Sequence, residues 1–234
     1  PLIPVNWGQG FPYGDYCSNK TSGCVATAIA QIMAYYRFPP SFTTTYTDAP
    51  HAGETIALNW TSMISYPYVY QVPALMREIG QRVGMRYSSP NSSNANPNNV
   101  PNCLISMGYS CSSGLVNFEM ASIRDALDER RPVCIDGRDA ANTRDGHTWI
   151  ADGYEYSRIG TEFYEEKLID NGLRLYYDYV LTSSTVQTTN LVHYNWGWNG
   201  DFNGLYAPVN GIYANGTTFN GLKMITSIRL AYVL

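Results

Sequence analysis

The sequence predicts an α+β fold, because helical patterns dominate its first half and strand patterns its second half. Three segments carry apolar residues at helical spacing, and we expect helices at about residues 24–37, 72–85 and 118–130. From residue 132 onward, short runs rich in β-branched and aromatic residues alternate with turns. These runs predict an antiparallel sheet with strands at residues 133–135, 147–152, 174–181, 191–195 and 225–233.

The first helix is the best defined of the three. Thr21 and Ser22 can cap its start. Pro39 and Pro40 cannot continue a helical hydrogen-bond ladder, so the helix should end near Arg37. Its apolar stripe repeats at helical spacing over Val25, Ala28, Ile29, Ile32 and Met33.

Cys24 opens this helix, and the position favours a nucleophilic thiolate. The first N–H groups of a helix have no partner within it, and together with the aligned peptide dipoles they stabilise negative charge. A thiol at such a site ionises more readily, which makes Cys24 a candidate nucleophile. The alternative is a structural role, because cysteine is among the residues most often buried in a core.

A cysteine nucleophile needs a base, and the chain holds the histidines His51, His147 and His193. His147 is the preferred candidate, because it opens a β-favouring run far from Cys24 in sequence. Nucleophile and base would then come from different halves of the fold and meet across a cleft. His193 is the rival base, since it also lies near the end of a predicted strand.

The segment that follows His193 holds a second group of candidates. Asn195 is predicted to accept a hydrogen bond from one imidazole nitrogen and so to orient the ring. A turn cap at the end of the strand is an equally good interpretation of this asparagine. Trp196 and Trp198 could instead form a stacking platform for sugars, which keeps a glycan-binding function open.

The composition argues against several other classes of function. With a net charge of −4 the chain has no basic footprint for nucleic acid, and no apolar run is long enough to span a bilayer. The five cysteines form no Cys-x-x-Cys pair and have no histidine at zinc-finger spacing, so we expect no metal and no cofactor. They could comprise one free thiol and two disulfides in any of three pairings, or five reduced thiols.

Four sequence blocks, in this order, resemble the streptopain family of bacterial cysteine peptidases, which has a papain-like fold. They are residues 7–13 with Trp7-Gly8-Gln9-Gly10, residues 21–33 around Cys24, Gly146-His147 with the turn at 152–153, and Asn195-Trp196-Gly197-Trp198. The resemblance spans nearly the whole chain, although residues 43–142 match only loosely. It implies one papain-like domain, residues 1–234, with a mainly helical lobe at about 1–90 and a mainly antiparallel β lobe at about 91–234.

The resemblance also implies roles for individual residues. Cys24 resembles the family nucleophile and His147 its general base and acid. Gln9 falls where a glutamine amide joins the backbone N–H of the nucleophile to hold the developing oxyanion. Trp196 resembles the tryptophan beside the catalytic imidazole and is also expected to contact the substrate, and Gly146 resembles a backbone contact to the substrate.

Further expectations concern the substrate and the cellular setting. Residues 88–99 form a polar loop, and the resemblance implies that a loop near this position helps to wall the substrate pocket, with Ser88 and Ser89 as contacts. The resemblance implies protein or peptide substrates with a hydrophobic residue one position before the scissile one. It also implies a pro-domain upstream that blocks the cleft of the zymogen. We expect a bacterial enzyme that is secreted or at the cell surface, and a monomer.

Two other functions would use the same residues differently. A cysteine acyltransferase or amidase would use the same cysteine and histidine but pass the acyl group to an amine. A non-catalytic adhesin or glycan-binding module would need only exposed aromatic side chains, and its activity would survive Cys24→Ala. The preferred prediction is a cysteine endopeptidase that forms an acyl-enzyme on Cys24.

Overall fold

The computed structural model describes residues 1–89, 92–208 and 211–231, and the side chains of Ser89 and Ser92 lie outside that description. The helices are α1 (Cys24–Tyr36), α2 (Trp60–Ser65), α3 (Gln71–Val83), α4 (Val100–Ser106) and α5 (Met120–Asp128), with a 3₁₀ turn at Pro97–Asn99. The strands are β1 (Ser41–Thr43), β2 (Thr55–Ala57), β3 (Arg86–Ser89), β4 (Ser92–Asn94), β5 (Tyr109–Ser110), β6 (Val116–Asn117), β7 (Val133–Asp139), β8 (Gly146–Asp170), β9 (Leu175–Asn195), β10 (Gly204–Tyr206), β11 (Ile212–Ala214), β12 (Thr217–Ile225) and β13 (Arg229–Leu230).

A large antiparallel sheet forms the second half of the chain, as the strand patterns predict. Its order is β10-β9-β8-β7-β12-β11, and β6 also pairs with β12. Helix α1 lies between this sheet and α3, packing against β8 on one side. Mixed helix and sheet confirm the predicted α+β class, and the arrangement brings the start of α1 to the strands β7 and β8.

Two apolar cores support these elements. One gathers the buried faces of α1, α3 and α4, including Ile29, Leu75 and Leu104. The other lies within the sheet around Trp149 and Trp196. Because α4 belongs to the first core, the helical part of the fold continues past residue 90, where the sequence placed the end of the helical lobe.

The first helix begins and ends almost where the sequence predicts, but its cap differs. Arg37 takes the left-handed conformation that closes α1. The N-cap is Gly23, and no side chain caps the helix. The predicted caps are occupied elsewhere, because the Ser22 hydroxyl lies 3.1 Å from that of Thr27 and donates to the Gln9 carbonyl.

The other helices were predicted less completely. Helices α3 and α5 match the predictions at residues 72–85 and 118–130, with ends shifted by one or two residues. The short helices α2 and α4 were not predicted, because segments of six and seven residues are too short to show a helical period.

A single long hairpin replaces the hairpins and separate strands expected between residues 155 and 195. Strands β8 and β9 pair continuously from Ile150–Asn195 to Asp170–Leu175, and the outer part is exposed on both faces. The strand predicted at residues 225–233 is wrong: β12 ends at Ile225, and the short β13 pairs with β5 instead. Residues 232–234 lie outside the described residues. In the described part of the chain, no helix has the length and apolar character to cross a bilayer.

Candidate active site

A cleft of about 910 Å³ brings together residues that are far apart in sequence. Cys24, the first residue of α1, and His147, the second residue of β8, both line it. Gln9 and Gly146 line the same cleft. The structure therefore gathers four of the predicted site residues around one concave surface, from the N-terminal loop, the first helix and the central sheet.

The start of α1 needs a glycine immediately before Cys24. Gly23 has φ +86°, a conformation that L side chains rarely adopt. A Cβ atom at Gly23 would also lie 2.7 Å from the Met85 Cε and 3.2 Å from the Ser93 Cβ. No side chain of the N-cap residue accepts a hydrogen bond from the first N–H groups of the helix.

Hydrogen bonds join the loop that carries Gln9 to the residues just before Cys24. The Gln9 carbonyl accepts hydrogen bonds from the Ser22 backbone N–H at 2.8 Å and from the Ser22 hydroxyl at 3.2 Å. The Thr27 hydroxyl lies 3.3 Å from the Gly8 carbonyl and 3.0 Å from the Gly23 carbonyl. These contacts fix the position of Gln9 relative to Cys24, as the predicted oxyanion role requires.

Burial controls the ionisation of Cys24. Desolvation raises the pKa of the thiol above its ordinary value, and the nearby Asp136 carboxylate raises it further. The largest opposing effect is a hydrogen bond from the Thr148 backbone, and one from the Val25 backbone is smaller. Packing around the sulfur thus acts against the ionisation that the helix terminus predicts for Cys24.

The His147 ring is held by a backbone carbonyl. Its Nε2 atom donates to the Trp196 carbonyl oxygen over 2.8 Å. Because a carbonyl can only accept, this contact places the proton on Nε2 and leaves Nδ1 as the acceptor of the neutral ring. Burial lowers the pKa of His147 to about 4. Across the described residues no hydrogen bond joins the His147 ring to the Cys24 sulfur, which is common for catalytic pairs without substrate.

Aromatic rings surround His147 and exclude water from it. The Trp198 ring is nearest, at 4.5 Å between centroids, and the ring of Trp196 lies 6.0 Å away. Trp149 and Phe219 complete the surround. The Trp196 side chain is fully buried, so the substrate contact predicted for it is wrong: its indole supports the site, and its carbonyl orients the imidazole. A buried indole cannot serve as a sugar-stacking platform either.

Asn195 does not orient His147, because its side chain is engaged elsewhere. Its Nδ2 atom donates to the Val5 carbonyl at 3.0 Å. Its Oδ1 atom accepts from Gln31 Nε2 at 3.1 Å and from the Gly197 backbone N–H at 3.2 Å. The last of these contacts is the turn cap that the sequence left open as the alternative.

Gln31 was missed by the sequence analysis. It is fully buried in α1, donates to Asn195, and accepts from the Trp7 backbone N–H at 3.0 Å. It thereby joins the nucleophile helix both to the segment that leads to Gln9 and to the segment that carries the Trp196 carbonyl. A usable signal was present, because Gln31 interrupts an otherwise apolar stretch on the same helical face as Cys24.

The other predicted residues do not line the cleft, or their side chains lie outside the described residues. His193 Nδ1 donates to Asp152 Oδ1 over 2.6 Å, and the residue does not line the cleft, which removes it as the rival base. Ser88 lies exposed on β3 but is not part of the cleft wall, and the Ser89 side chain lies outside the described residues. The wall is formed instead by neighbours such as Ser93, whose hydroxyl donates to the Thr21 carbonyl at 2.8 Å.

The cysteines are all free thiols in this structure. Cys17, Cys103 and Cys134 are buried, whereas Cys24 and Cys111 are partly exposed. Within the described ranges, no cluster of three or more histidine, cysteine or acidic side chains is arranged to hold a metal ion.

Comparison with known proteins agrees with the fold and the cleft. A family model described as the Peptidase C10 family matches residues 7–206. The thiol protease/hemagglutinin PrtT of Porphyromonas gingivalis is 27% identical over 86% of this chain, and streptopain of Streptococcus pyogenes is 26% identical over 80%. These alignments cover 22% and 46% of the two relatives, so the chain spans less than half the length of either.

Solved structures show the same fold. The active wild-type interpain A cysteine protease of Prevotella intermedia superposes with a TM-score of 0.61 at 22% identity, covering 96% of this chain and 92% of that one. A prointerpain A fragment from the same organism gives a TM-score of 0.58 at 20% identity, over 97% and 70% of the two chains. The class predicted from the sequence, a cysteine peptidase, is thereby confirmed. The chain belongs to the peptidase C10 family.

Proposed function

We propose that this chain is the catalytic domain of a cysteine endopeptidase in which Cys24 is the nucleophile and His147 the general base and acid. One observation carries the proposal: the first residue of α1 and the second residue of β8 line one cleft, although they are 147 − 24 = 123 positions apart in the sequence. Gln9 and Gly146 line the same surface, where an oxyanion donor and a backbone contact to the substrate would be needed.

The first chemical step is a proton transfer within the pair. The Trp196 carbonyl holds the Nε2 proton of His147, so Nδ1 is the atom that takes the proton from the Cys24 thiol. Burial keeps both partners neutral before this transfer. The resulting imidazolium and thiolate stabilise each other as the thiolate attacks the peptide carbonyl.

The oxyanion that forms next needs hydrogen-bond donors. The Gln9 amide and the backbone N–H of Cys24 are the proposed donors, and one such donor contributes roughly 3 kcal/mol of transition-state stabilisation in acyl transfer. His147 then gives its proton to the leaving amine, and a water molecule activated by the same imidazole hydrolyses the thioester. The cycle returns both residues to their neutral forms and requires no metal or cofactor.

The pH dependence of kcat/KM follows from the two neutral groups. Below a pH of about 4, His147 is protonated and cannot accept the thiol proton, so the rate should fall there. At the other end, the rate should fall only above the ordinary thiol value of 9.0, because burial raises the pKa of Cys24. A pH profile of peptide hydrolysis should therefore show a broad plateau whose limbs belong to the coupled pair. An acidic limb near 6.5 would contradict the buried, neutral imidazole.

The setting of the enzyme is part of the same proposal. The cleft would lie between a helical lobe and a β lobe of one papain-like domain, and protein or peptide chains would be its substrates. The prointerpain fragment among the structural neighbours supports an upstream pro-domain that covers the cleft of a zymogen. The bacterial relatives support a bacterial enzyme, which we propose is a monomer that is secreted or held at the cell surface.

Hydrolysis of unfolded casein, with and without a primary amine as acyl acceptor, tests this function. We expect new amino termini to appear at the same rate in both conditions, because water accepts the acyl group. Release of peptides only when the amine is present, with the amine incorporated into the product, would instead identify the acyltransferase. Absence of any acyl transfer by folded protein would contradict both enzymes and leave the non-catalytic adhesin.

A further inference from the structure

The cleft beside Cys24 and His147 is lined mainly by polar side chains, and its charges are predominantly basic. Arg86, Arg138 and Arg144 line it, against the carboxylates Asp136 and Asp145. This local excess of positive charge contrasts with the net charge of −4 of the whole chain. In the described part of the cleft, apolar side chains are few: they are Val25, Ala95 and Pro97. Such a surface does not match the hydrophobic subsite that the sequence resemblance implies.

Arg138 lies closest to the reacting groups. Strands β7 and β8 place Arg138 opposite Gly146, the residue before His147. Its Nη1 atom lies 3.1 Å from the position that a Cβ of Gly146 would occupy, so the guanidinium covers the backbone beside the proposed base. A substrate side chain that lies against the backbone of Gly146 would meet the Arg138 guanidinium.

The carboxylates of the cleft already have partners. Asp136 is buried, accepts a hydrogen bond from the Thr148 hydroxyl at 2.9 Å, and lies 3.5 Å from Arg138 Nη2. Asp145 accepts a hydrogen bond from the Asn142 amide at 2.7 Å. Both carboxylates that could compete for a guanidinium are thus at least partly occupied by groups of the protein itself.

The arginines on the two walls are less engaged. Arg86 begins β3 on the wall formed by the helical part, and Arg144 precedes β8 on the sheet side. Both side chains are exposed, and neither forms an ion pair with any residue in the described ranges. Guanidinium groups bind carboxylates through paired hydrogen bonds, and a cleft concentrates their field more than a flat surface does.

We propose that this cleft selects peptides with an aspartate or glutamate close to the scissile bond, and that Arg86, Arg138 and Arg144 recognise that carboxylate. The inference rests on the proposed function, because it names the substrate class of the same site. Arg86 and Arg144 supply uncompensated charge from opposite walls, and Arg138 supplies the contact nearest to His147. A leucine in the same place would leave these guanidinium groups with less of their water and no partner.

Matched peptides that differ only in carrying Glu, Gln or Leu at one position test the proposal. Each position on both sides of one scissile bond is varied in turn, and kcat/KM is measured at low and at high ionic strength. At one position or more we expect Glu to exceed Gln by about tenfold, as for one charge-assisted contact in a partly exposed cleft. High ionic strength should reduce that ratio and leave the ratio of Gln to Leu unchanged.

Variants assign the effect to the cleft. Arg86→Gln and Arg144→Gln should each lower the Glu-to-Gln ratio several-fold through KM, whereas Arg158→Gln, an exposed arginine on the distant hairpin, should leave it unchanged. A ratio of one or less at every position would overturn the proposal. A ratio that survives in a folded triple variant with Arg86→Gln, Arg138→Gln and Arg144→Gln would overturn the assignment to these residues.

Binding to the Cys24→Ala variant separates this inference from the proposed function. Fluorescence anisotropy with the Glu and Gln peptides reports recognition whether or not any bond is cut. Tighter binding of the Glu peptide together with an absence of hydrolysis by the native chain would contradict the peptidase and support the acidic preference. Equal binding of the two peptides together with normal hydrolysis of casein would contradict the preference and leave the peptidase intact.

Discussion

Replacing Cys24 with alanine should lower the rate of casein hydrolysis by at least about 10⁴-fold, the order of loss seen when a nucleophile is removed from an acyl-transfer enzyme. Each chemical step of the proposed mechanism passes through the Cys24 sulfur, and the loss should fall on kcat. The free energy of unfolding should change little, because Cys24 lies at the helix terminus and is only partly buried. The rate and thermal unfolding of the variant are measured on the same preparation.

Cys111→Ala is the matched control for this prediction. Cys111 is the other partly exposed thiol, and it lies outside the cleft. Its removal should leave casein hydrolysis within a factor of about two, since surface substitutions rarely have larger effects. Comparable losses in the two variants, or substantial hydrolysis by a folded Cys24→Ala protein, would show that Cys24 is not the nucleophile.

Replacing Gln31 with leucine should have the largest effect on stability. The substitution keeps the volume but leaves the Trp7 N–H without its acceptor and removes the donor to Asn195 Oδ1. Two buried hydrogen bonds are lost, and we expect the free energy of unfolding to fall by about 2–4 kcal/mol. Because Asn195 immediately precedes the Trp196 carbonyl that holds His147, kcat should also fall in the fraction that remains folded.

Gln187→Leu is the control for Gln31→Leu. Gln187 is exposed on the outer part of the β8–β9 hairpin, so the same chemical change there should alter stability by less than about 0.5 kcal/mol. Urea unfolding gives the stability of each protein, and the pH profile of kcat/KM gives a readout that general destabilisation does not move. An unchanged acidic limb in Gln31→Leu would show that the hydrogen-bond network does not position the imidazole.

Local sequence signals were sufficient for the elements that hold the proposed pair. The start of α1 at Cys24 follows from a local apolar stripe, although the caps predicted at Thr21 and Ser22 are replaced by Gly23. The position of His147 at the start of a strand follows from the β-favouring run that it opens. Cys24 and His147 share one cleft although they are far apart in sequence. The ordered resemblance predicts this arrangement, and the strand pairing of the sheet explains it.

The errors arose where contacts through the backbone or through burial decide the outcome. A side-chain pattern cannot reveal that His147 Nε2 donates its hydrogen bond to the Trp196 backbone carbonyl and not to the Asn195 side-chain oxygen. The raised pKa of Cys24 has no signal in the sequence, because the helix start is visible there whereas the desolvation that raises the pKa depends on the packed structure. Ser88 was misplaced because which hairpin residues reach the cleft depends on the register of β3 and β4.

The charge of the cleft is a further feature that resemblance to a family does not predict. Arg86 is far in sequence from Arg138 and Arg144, and only the pairing of β7 with β8 and the position of β3 bring the three to one surface. A fold shared with a structure at 22% identity gives the arrangement of helices and strands but not which side chain the cleft prefers.

Labelling with a thiol-directed epoxide, followed by peptide mapping, tests the central claim most directly. We expect one equivalent of label on Cys24, with the other thiols unmodified, and a strong loss of labelling in His147→Ala but not in His51→Ala, whose ring lies outside the cleft beside Glu54. Circular dichroism confirms that each variant is folded. Label distributed over Cys24 and Cys111, or labelling of Cys24 at an undiminished rate without the His147 imidazole, would contradict a nucleophile activated by His147.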